Sequence, residues 1–295
     1  SLSKVTIERR LVSKLDGTVK YLFRLEDGEH VEGVRMPYKR GGSLCISTQC
    51  GCRMGCTFCA SALTGLCRNL TPSEMLSEVY LAAKDAEEHG EKIASLVLMG
   101  IGEPLDNYDN VIKFLKLVSD ENGLNIGMRH ISLSTSGIVP RIYDLLDLNL
   151  QLTLSVSLHA PNNEIRSQIM PVNKSWDVDE LLNACKIYAD KTSRRISFEY
   201  AMIKGKNDNE ACAERLAKLL KGILCHVNLI PVNPVKENDY VKSNQKSLRE
   251  FAKRLNDLGI NTTIRRTLGS DIEASCGQLR RKFDDKGGVK NECLQ

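Results

Sequence analysis

Aromatic side chains are scarce in this chain. They make up 5% of its 295 residues, with a single tryptophan, which argues against a sheet that stacks unpaired bases on exposed rings. Charge of one sign is not in large excess either: 41 lysines and arginines against 37 acidic residues leave +4. Such a balance permits a nucleic-acid partner and does not demand one. No apolar run reaches the ~20 residues that cross a bilayer as a helix. No basic n-region followed by an apolar h-region opens the sequence, so a cytosolic location is expected, where thiols stay reduced. Internal repeats and low-complexity segments are absent. The chain opens Ser1-Leu2-Ser3 without a methionine, and an N-terminal piece is expected to be missing or processed. Hydrophobic residues, at 42%, are ample for a core, and the length suits one large α/β domain or two smaller ones.

Cysteine, by contrast, is plentiful: eleven in all, six of them between Ser43 and Arg68. Cys52, Cys56 and Cys59 stand in the spacing C-x3-C-x2-C, after a short apolar run of Leu44, Cys45 and Ile46. Thiolates are the usual protein ligands of iron–sulfur clusters. Three at this spacing can hold three corners of a cubane and leave one iron open to chelate a small molecule. A zinc site usually joins one C-x2-C pair to another; Cys56 and Cys59 make one pair and no second follows. A disulfide scaffold suits short secreted chains, not one that can bury its own core. The cluster is therefore favoured over zinc. The spacing, with Phe58 between the last two cysteines, is similar to that of the radical SAM superfamily, whose open iron binds the amino and carboxylate groups of S-adenosylmethionine.

Residues 4–38 read as a small β meander: VTIERRLV and VKYLFRL alternate, a turn follows at Glu26–Glu29, and HVEGVRM leads on. Lys39–Gly42 makes a basic link. From Ser43 onward strands and helices alternate, beginning with SLCISTQ as a strand. Thr71-Pro72-Ser73-Glu74 carries a helix start, with a threonine cap, a proline in the first turn and a glutamate three residues after the cap. SLVLMG is continuously apolar, as a buried parallel strand should be. Further strands are expected at 130–136, 152–159, 196–203, 226–233 and 261–267, with helices near 109–119, 139–147, 177–190, 208–221 and 244–258. Alternation repeated about six times implies a parallel sheet with right-handed crossovers. The expected fold class is α/β: a partial (β/α)6 radical-SAM barrel over residues 43–282, a small N-terminal β extension over 1–42, and a polar tail over 283–295.

In such barrels functional residues sit at the C-terminal ends of strands. After SLVLMG come Ile101, Gly102, Glu103 and Pro104; the glycine allows close backbone approach and the glutamate can accept from a bound ammonium. Alone this motif is weak, and its position one strand after the cysteine loop strengthens it. Ser134 and Ser136 end the next strand and can meet a carboxylate or a ribose, or simply serve a turn. Ser157, Leu158 and His159 end the fourth; the histidine can bond a ligand, but taken alone it reads better as a satisfied core polar group. Asn233, between Pro231 and Pro234, suits either an adenine edge or a rigid turn. Cys45 precedes the cysteine loop on its strand. Cys276 sits before Gly277, whose freedom permits a mobile loop. Cys185, Cys212 and Cys225 read as small buried hydrophobes. Arg129, Arg194, Arg195, Arg265, Arg266, Arg280 and Arg281 are candidate phosphate contacts.

CISTQCGCRMGCTFC, MGIGEPLDN, LSTSG, SLHAPNNEIR, MPVN, NLIPVNP and DIEASCGQL together resemble the RlmN/Cfr family of radical-SAM RNA adenine methyltransferases, over about Val31–Leu279. The resemblance implies that Cys52, Cys56 and Cys59 hold a 4Fe–4S cluster, and that Gly102, Glu103, Ser134, Ser157, Leu158, His159 and Asn233 bind S-adenosylmethionine. It implies that Cys276 carries a methyl group, that Cys45 resolves a covalent protein–RNA intermediate and leaves a Cys45–Cys276 disulfide, and that Glu32 accepts a proton. From the residues alone Glu32 reads as a solvated strand position. The implied route uses one S-adenosylmethionine to methylate Cys276 and a second, cleaved to a 5′-deoxyadenosyl radical, to activate that methyl group. GEPLDN and NLIPVNP resemble the type that methylates carbon 2, on 23S rRNA and tRNA, with a low-potential electron donor such as flavodoxin and no membrane partner. A Cfr-type enzyme, methylating carbon 8 and conferring antibiotic resistance, is the alternative. A non-catalytic iron–sulfur or zinc RNA-binding protein is the third reading. Most members carry an N-terminal helical RNA-binding region, and residues 1–42 are not expected to supply it.

Overall fold

The computed structural model of the chain describes residues 4–232 and 240–274. These divide into two compact units, one of residues 4–53, 60–133 and 267–274, the other of 54–59, 134–232 and 240–266.

The first unit opens with the expected meander, β1 (Thr6–Val12), β2 (Val19–Arg24) and β3 (His30–Met36), paired antiparallel in sequence order. β3 pairs antiparallel with β4 (Gly42–Cys45), so the sheet runs on across residue 42. After β4 the chain makes a small two-stranded sheet, β5 (Gln49–Gly51) with β6 (Leu66–Asn69), which brackets the cysteine loop. Helix α1 (Pro72–Glu88) starts as its sequence dictates. The Glu74 amide donates to Thr71 Oγ1 at 3.2 Å, and the Thr71 amide donates to Glu74 Oε2 at 2.8 Å, which satisfies donors that a helix N-terminus otherwise leaves unmade. β7 (Ile93–Leu98) then pairs parallel with β4, α2 (Tyr108–Val118) follows, and β8 (Ile131–Thr135) pairs parallel with β7.

Every residue of β2 except Arg24 is buried, despite the alternating pattern. Both faces are covered. On one, Tyr21 stacks on Phe23 and its hydroxyl donates to Asp85 Oδ2 of α1 at 2.6 Å. On the other lie Lys20 and Leu22, and over this part of the unit run residues 268–274, where Leu268 and Ala274 pack against Val34, Met36 and Cys45.

The second unit is a parallel α/β layer: α3 (Val139–Asp147), β9 (Thr153–Ser157), α4 (Asn163–Ile169), α5 (Val178–Thr192), β10 (Ile196–Met202), α6 (Glu210–Leu220), β11 (Cys225–Pro231), α7 (Gln245–Asp257) and β12 (Thr262–Ile264). The strands pair in the order β9, β10, β11, β12, all parallel. Asn162, Asp177, Asn209 and Asn244 cap α4, α5, α6 and α7 with side-chain oxygens, the residue types that tie down the first turn best. Cys185 and Cys212 are buried on α5 and α6, and Cys225 begins β11, as small apolar side chains would.

Three expectations change. The strand expected over 43–49 ends at Cys45, because Thr48 and Gln49 turn their amides to the Ile101 carbonyl, at 2.8 and 3.1 Å. The β5–β6 sheet and α4 were not expected. The first pairs short polar strands that show no alternation, and the second is seven residues long, too short for a helical stripe to repeat.

Candidate active site

In the first unit, Glu32 on β3 is buried at 1% exposure, not solvated. Its carboxylate pairs with Lys20 Nζ at 3.0 Å, and that ammonium also donates to the Glu273 carbonyl at 2.9 Å. Register places the neighbours. Lys20 stands opposite Val34 and Val34 opposite Cys45, one row across β2, β3 and β4; Glu32 lies two residues before Val34 on β3. Directly paired residues and those two apart share a face. Lys20, Glu32 and Cys45 therefore line one face of the sheet, and Ala274, which packs there, is two residues short of Cys276 in the sequence.

Gly102 and Glu103 follow β7. Gly102 has φ +112°, and a Cβ there would stand 2.7 Å from Gln49 Cβ and 2.8 Å from the Gln49 amide nitrogen. Only glycine fits that backbone and that approach. The Glu103 amide donates to Gln49 Oε1 at 2.8 Å, and its carboxylate accepts from the Leu105 amide at 3.0 Å. The same Gln49 donates to Asn69 and Asp106, and Arg53, next to Cys52, pairs with Asp106. The turn that carries Glu103 is thus fastened to the start of the cysteine loop. Cys52 is buried, with its amide donating to the Gly65 carbonyl at 2.8 Å.

In the second unit, residues 54–59 hold Cys56 and Cys59, whose backbones close a turn through the Cys59 amide and the Cys56 carbonyl at 3.1 Å. Phe58 meets the His159 ring edge-on, centroids 4.9 Å apart. His159 sits after β9 with φ +55°. Its Nδ1 accepts from the Ala201 amide at 2.9 Å, which puts the proton of the neutral ring on Nε2. Burial, joined by the nearby Arg166 charge, pushes this imidazole down to about 3. Ser134 is buried within β8. Ser157 begins a polar row across the sheet, Ser157–Glu199–Asn228–Thr263. Glu199 accepts from Asn228 and Ser197, and burial raises its carboxyl.

Arg166, on α4, escaped the sequence reading. Its guanidinium is wholly buried and donates to the carbonyls of Ser136, Ser157 and Leu158 and to Asn173 Oδ1, at 2.6, 3.1, 3.1 and 3.1 Å. It has no carboxylate in ion-pair range among the described residues. Burial lowers it to about 10, with Cys56 and then Cys185 acting the other way. The signal in the sequence was a lone basic residue in a short segment, SLHAPNNEIR. Asn233 and Cys276 lie outside the described residues, as do Arg280 and Arg281. Arg194 is engaged at Leu152 and Thr153.

The donor set fits an iron–sulfur cubane. Three soft thiols within one stretch of eight residues are able to supply three corners, and a buried guanidinium with no carboxylate in range among the described residues, near enough to feel Cys56, suits an anionic neighbour. Among the described residues no three His, Cys, Asp or Glu side chains converge on a single ion. Cubane thiolates each bind a different iron, so convergence on one point is not required of them.

Comparison with known proteins agrees. Residues 46–220 match the Radical SAM superfamily. The chain is 56% identical to a protein of Clostridium novyi named as a probable dual-specificity RNA methyltransferase RlmN, over 94% of this chain and 80% of that one. It is 56% identical to a protein of the same name from Alkaliphilus oremlandii, over 95% and 81%. The crystal structure of a radical SAM methyltransferase from Sphaerobacter thermophilus matches at a TM-score of 0.91, with 43% identity over 94% of this chain and 81% of that one. A cysteine loop and strand ends of this kind, met at these identities over nearly the whole chain, make it a member of the RlmN family within the radical SAM superfamily.

Proposed function

We propose that this chain methylates carbon 2 of adenine in 23S rRNA and in tRNA, through a methyl group carried on Cys276 and a covalent protein–RNA intermediate. The family works with a 4Fe–4S cluster and S-adenosylmethionine; Cys52, Cys56 and Cys59 would hold the cluster. When bound, the two supply one-electron chemistry and the methyl group. The protein's own groups do the rest. The thiolate of Cys276 takes the methyl group by displacement. An adenine amidine carbon is electrophilic and does not attack a methylsulfonium itself, which is why a carrier is needed. Once the carrier carbon is joined to the ring, Glu32 takes the ring proton, the C–H electron pair stays with the adenine, and the odd electron left by the addition would leave through the one-electron chemistry that the cluster supplies. The Cys45 thiolate then attacks the Cys276 sulfur. The sulfur–carbon bond breaks with its pair on carbon, a sulfur–sulfur bond forms, and that carbon takes a proton to become the methyl group.

The observation that carries this reading is the shared face of β2, β3 and β4, where a buried carboxylate and a buried thiol lie beneath the segment leading to Cys276. Product mapping tests it. Ribosomal RNA and tRNA treated with the anaerobic, reconstituted enzyme should yield 2-methyladenosine on digestion and mass spectrometry. 8-Methyladenosine instead would assign the alternative regiochemistry, and no methylated adenosine at all would remove the activity.

A further inference from the structure

The mechanism above leaves unused a buried charge that touches its base. Lys20 is at 0% exposure, the second residue of β2, with a polar end that a strand position of this kind does not need. Burying an ammonium is costly unless a partner and hydrogen bonds receive it. Two partners among the described residues receive it. One is the carboxylate of Glu32 at 3.0 Å, and the other is the backbone carbonyl of Glu273 at 2.9 Å, more than 250 residues away in the chain. The carbonyl belongs to the segment that runs on to Cys276. Its other holds come from the same β1–β2 region: Asp16 Oδ2 accepts from the Gly269 amide at 2.8 Å, and Asp271 accepts from Ser13 Oγ and the Lys14 amide at 2.6 and 2.9 Å. Lys20 is the contact in this series that reaches the sheet face itself.

We propose that Lys20 is a positioning residue that holds and aims the Glu32 carboxylate, and that ties this base to Glu273 in the segment that runs on to Cys276. The inference rests on the reading of Glu32 as the proton acceptor. Proton transfer needs the base within hydrogen-bond reach of the proton it takes, and a carboxylate that has lost its ammonium is no longer held in that place. One ammonium bonded to both the carboxylate and the Glu273 carbonyl sets the base and residue 273, three before the carrier in sequence, in a single frame. In the step concerned the C–H bond of the ring carbon breaks, the proton moves to the Glu32 carboxylate, the electron pair stays in the adenine, and the odd electron left by the radical addition would leave through the one-electron chemistry of the cluster. Lys20 itself gives up nothing and takes nothing.

The test uses single turnover of the reconstituted enzyme on RNA, with adenine carrying either hydrogen or deuterium at carbon 2. Two variants are made: Lys20→Met, which removes the donor, and Lys20→Gln, which keeps a donor for Glu273 without a charge and guards against a chain that fails to fold. Glu32→Gln is run beside them. Intact-protein mass spectrometry should find Cys276 methylated in each folded variant. Product release should fall at least tenfold in both Lys20 variants, and the deuterium isotope effect should rise above the wild-type value, because proton removal has become slow. A rate that falls only as the folded fraction falls, with an unchanged isotope effect, would overturn the proposal and leave Lys20 a packing residue. If Glu32→Gln slows release with a raised isotope effect while the Lys20 variants do not, the Lys20 inference alone fails. If Glu32→Gln keeps wild-type rate and isotope effect, the assignment of the base fails, and the inference with it.

Discussion

Neutral His159 and charged Arg166 lie close together in the second unit, and their burial has consequences that can be measured. His159 accepts the Ala201 amide on Nδ1, so protonation would set a donor against a donor. Burial, with the Arg166 charge beside it, brings its pKa to about 3, while an unfolded histidine titrates near ~6.5. The unfolded chain therefore binds the extra proton between these values. Stability contributed by the neutral ring is present above about pH 6.5 and falls as the pH drops toward 3, with a slope of up to ~1.4 kcal/mol per pH unit from this group. Urea unfolding at a series of pH values should show that decline, and His159→Gln should flatten it. An imidazole NMR signal that titrates near pH 6.5 in the folded protein would show the ring to be solvated and the account wrong. Arg166 is the stronger lesson in geometry. Lysine keeps the charge but not the planar fork. Arg166→Lys should leave several of the four acceptors unmet and lower the unfolding free energy by about 3 kcal/mol or more, measured as a shift of the denaturant midpoint. Cys56→Ala tests the loop from the other side: two cluster thiols remain, and iron after anaerobic reconstitution should drop from about four per chain to background.

At the scale of elements, the turn between β1 and β2 grips residues 269–273. Two carboxylates of this contact, Asp16 in the turn and Asp271 in the segment it grips, are held below their ordinary range. Asp16 falls to about 2, since burial, which would raise it, is outweighed by hydrogen bonds from Gly269 and Thr18; Asp271 is lowered chiefly by Ser13. With folded values below unfolded ones, their contribution is complete above about pH 4 and is lost as the pH falls through the folded values. Asp16→Asn should reproduce the loss at neutral pH. Hydrogen exchange at the Gly269 amide should then show a protection factor about tenfold lower, with the amides of β10 unchanged. How much of this was legible beforehand differs by element. The helix start at Thr71 and the helix at 139–147 were readable, because capping and apolar period are local. The long-range contacts were not. VKYLFRL alternates, so Lys20 reads as solvent-facing until residues 268–274 are laid over it, and no local pattern announces a partner at Glu273. Glu32 was misread as solvated for the same reason, and only the resemblance to a family marked it. Arg166 was missed because its acceptors are backbone carbonyls, which leave no trace in a sequence.

For the whole molecule, the alternation of strands and helices was enough to give the class of fold, since each parallel step needs a crossover. Chemistry that joins distant segments demands more, and the two cysteines outside the cluster spacing are the sharpest instance. Cys45 ends β4, at 4% exposure, among Val34, Met36, Met99, Leu268 and Ala274. A small apolar side chain would suit that setting equally well, so packing alone does not explain a thiol there. In the proposed route the two thiols act at opposite ends. Cys276 takes the methyl group first, so Cys276→Ala should abolish methylation before RNA is touched and form no covalent species. Cys45 acts only after one carbon joins the Cys276 sulfur to adenine. Without its thiol nothing attacks that sulfur, and Cys45→Ala should stop with RNA attached to the protein. On a denaturing gel this variant should show a slow band that nuclease collapses and that labelled RNA marks. Alanine at position 45 removes one sulfur atom from a packed face, a loss the fold should tolerate at about 1–3 kcal/mol, so the block is one of chemistry and not of folding. If Cys45→Ala turns over normally, or if Cys276→Ala is the variant that retains RNA, the two roles are reversed or the reaction does not pass through a covalent link.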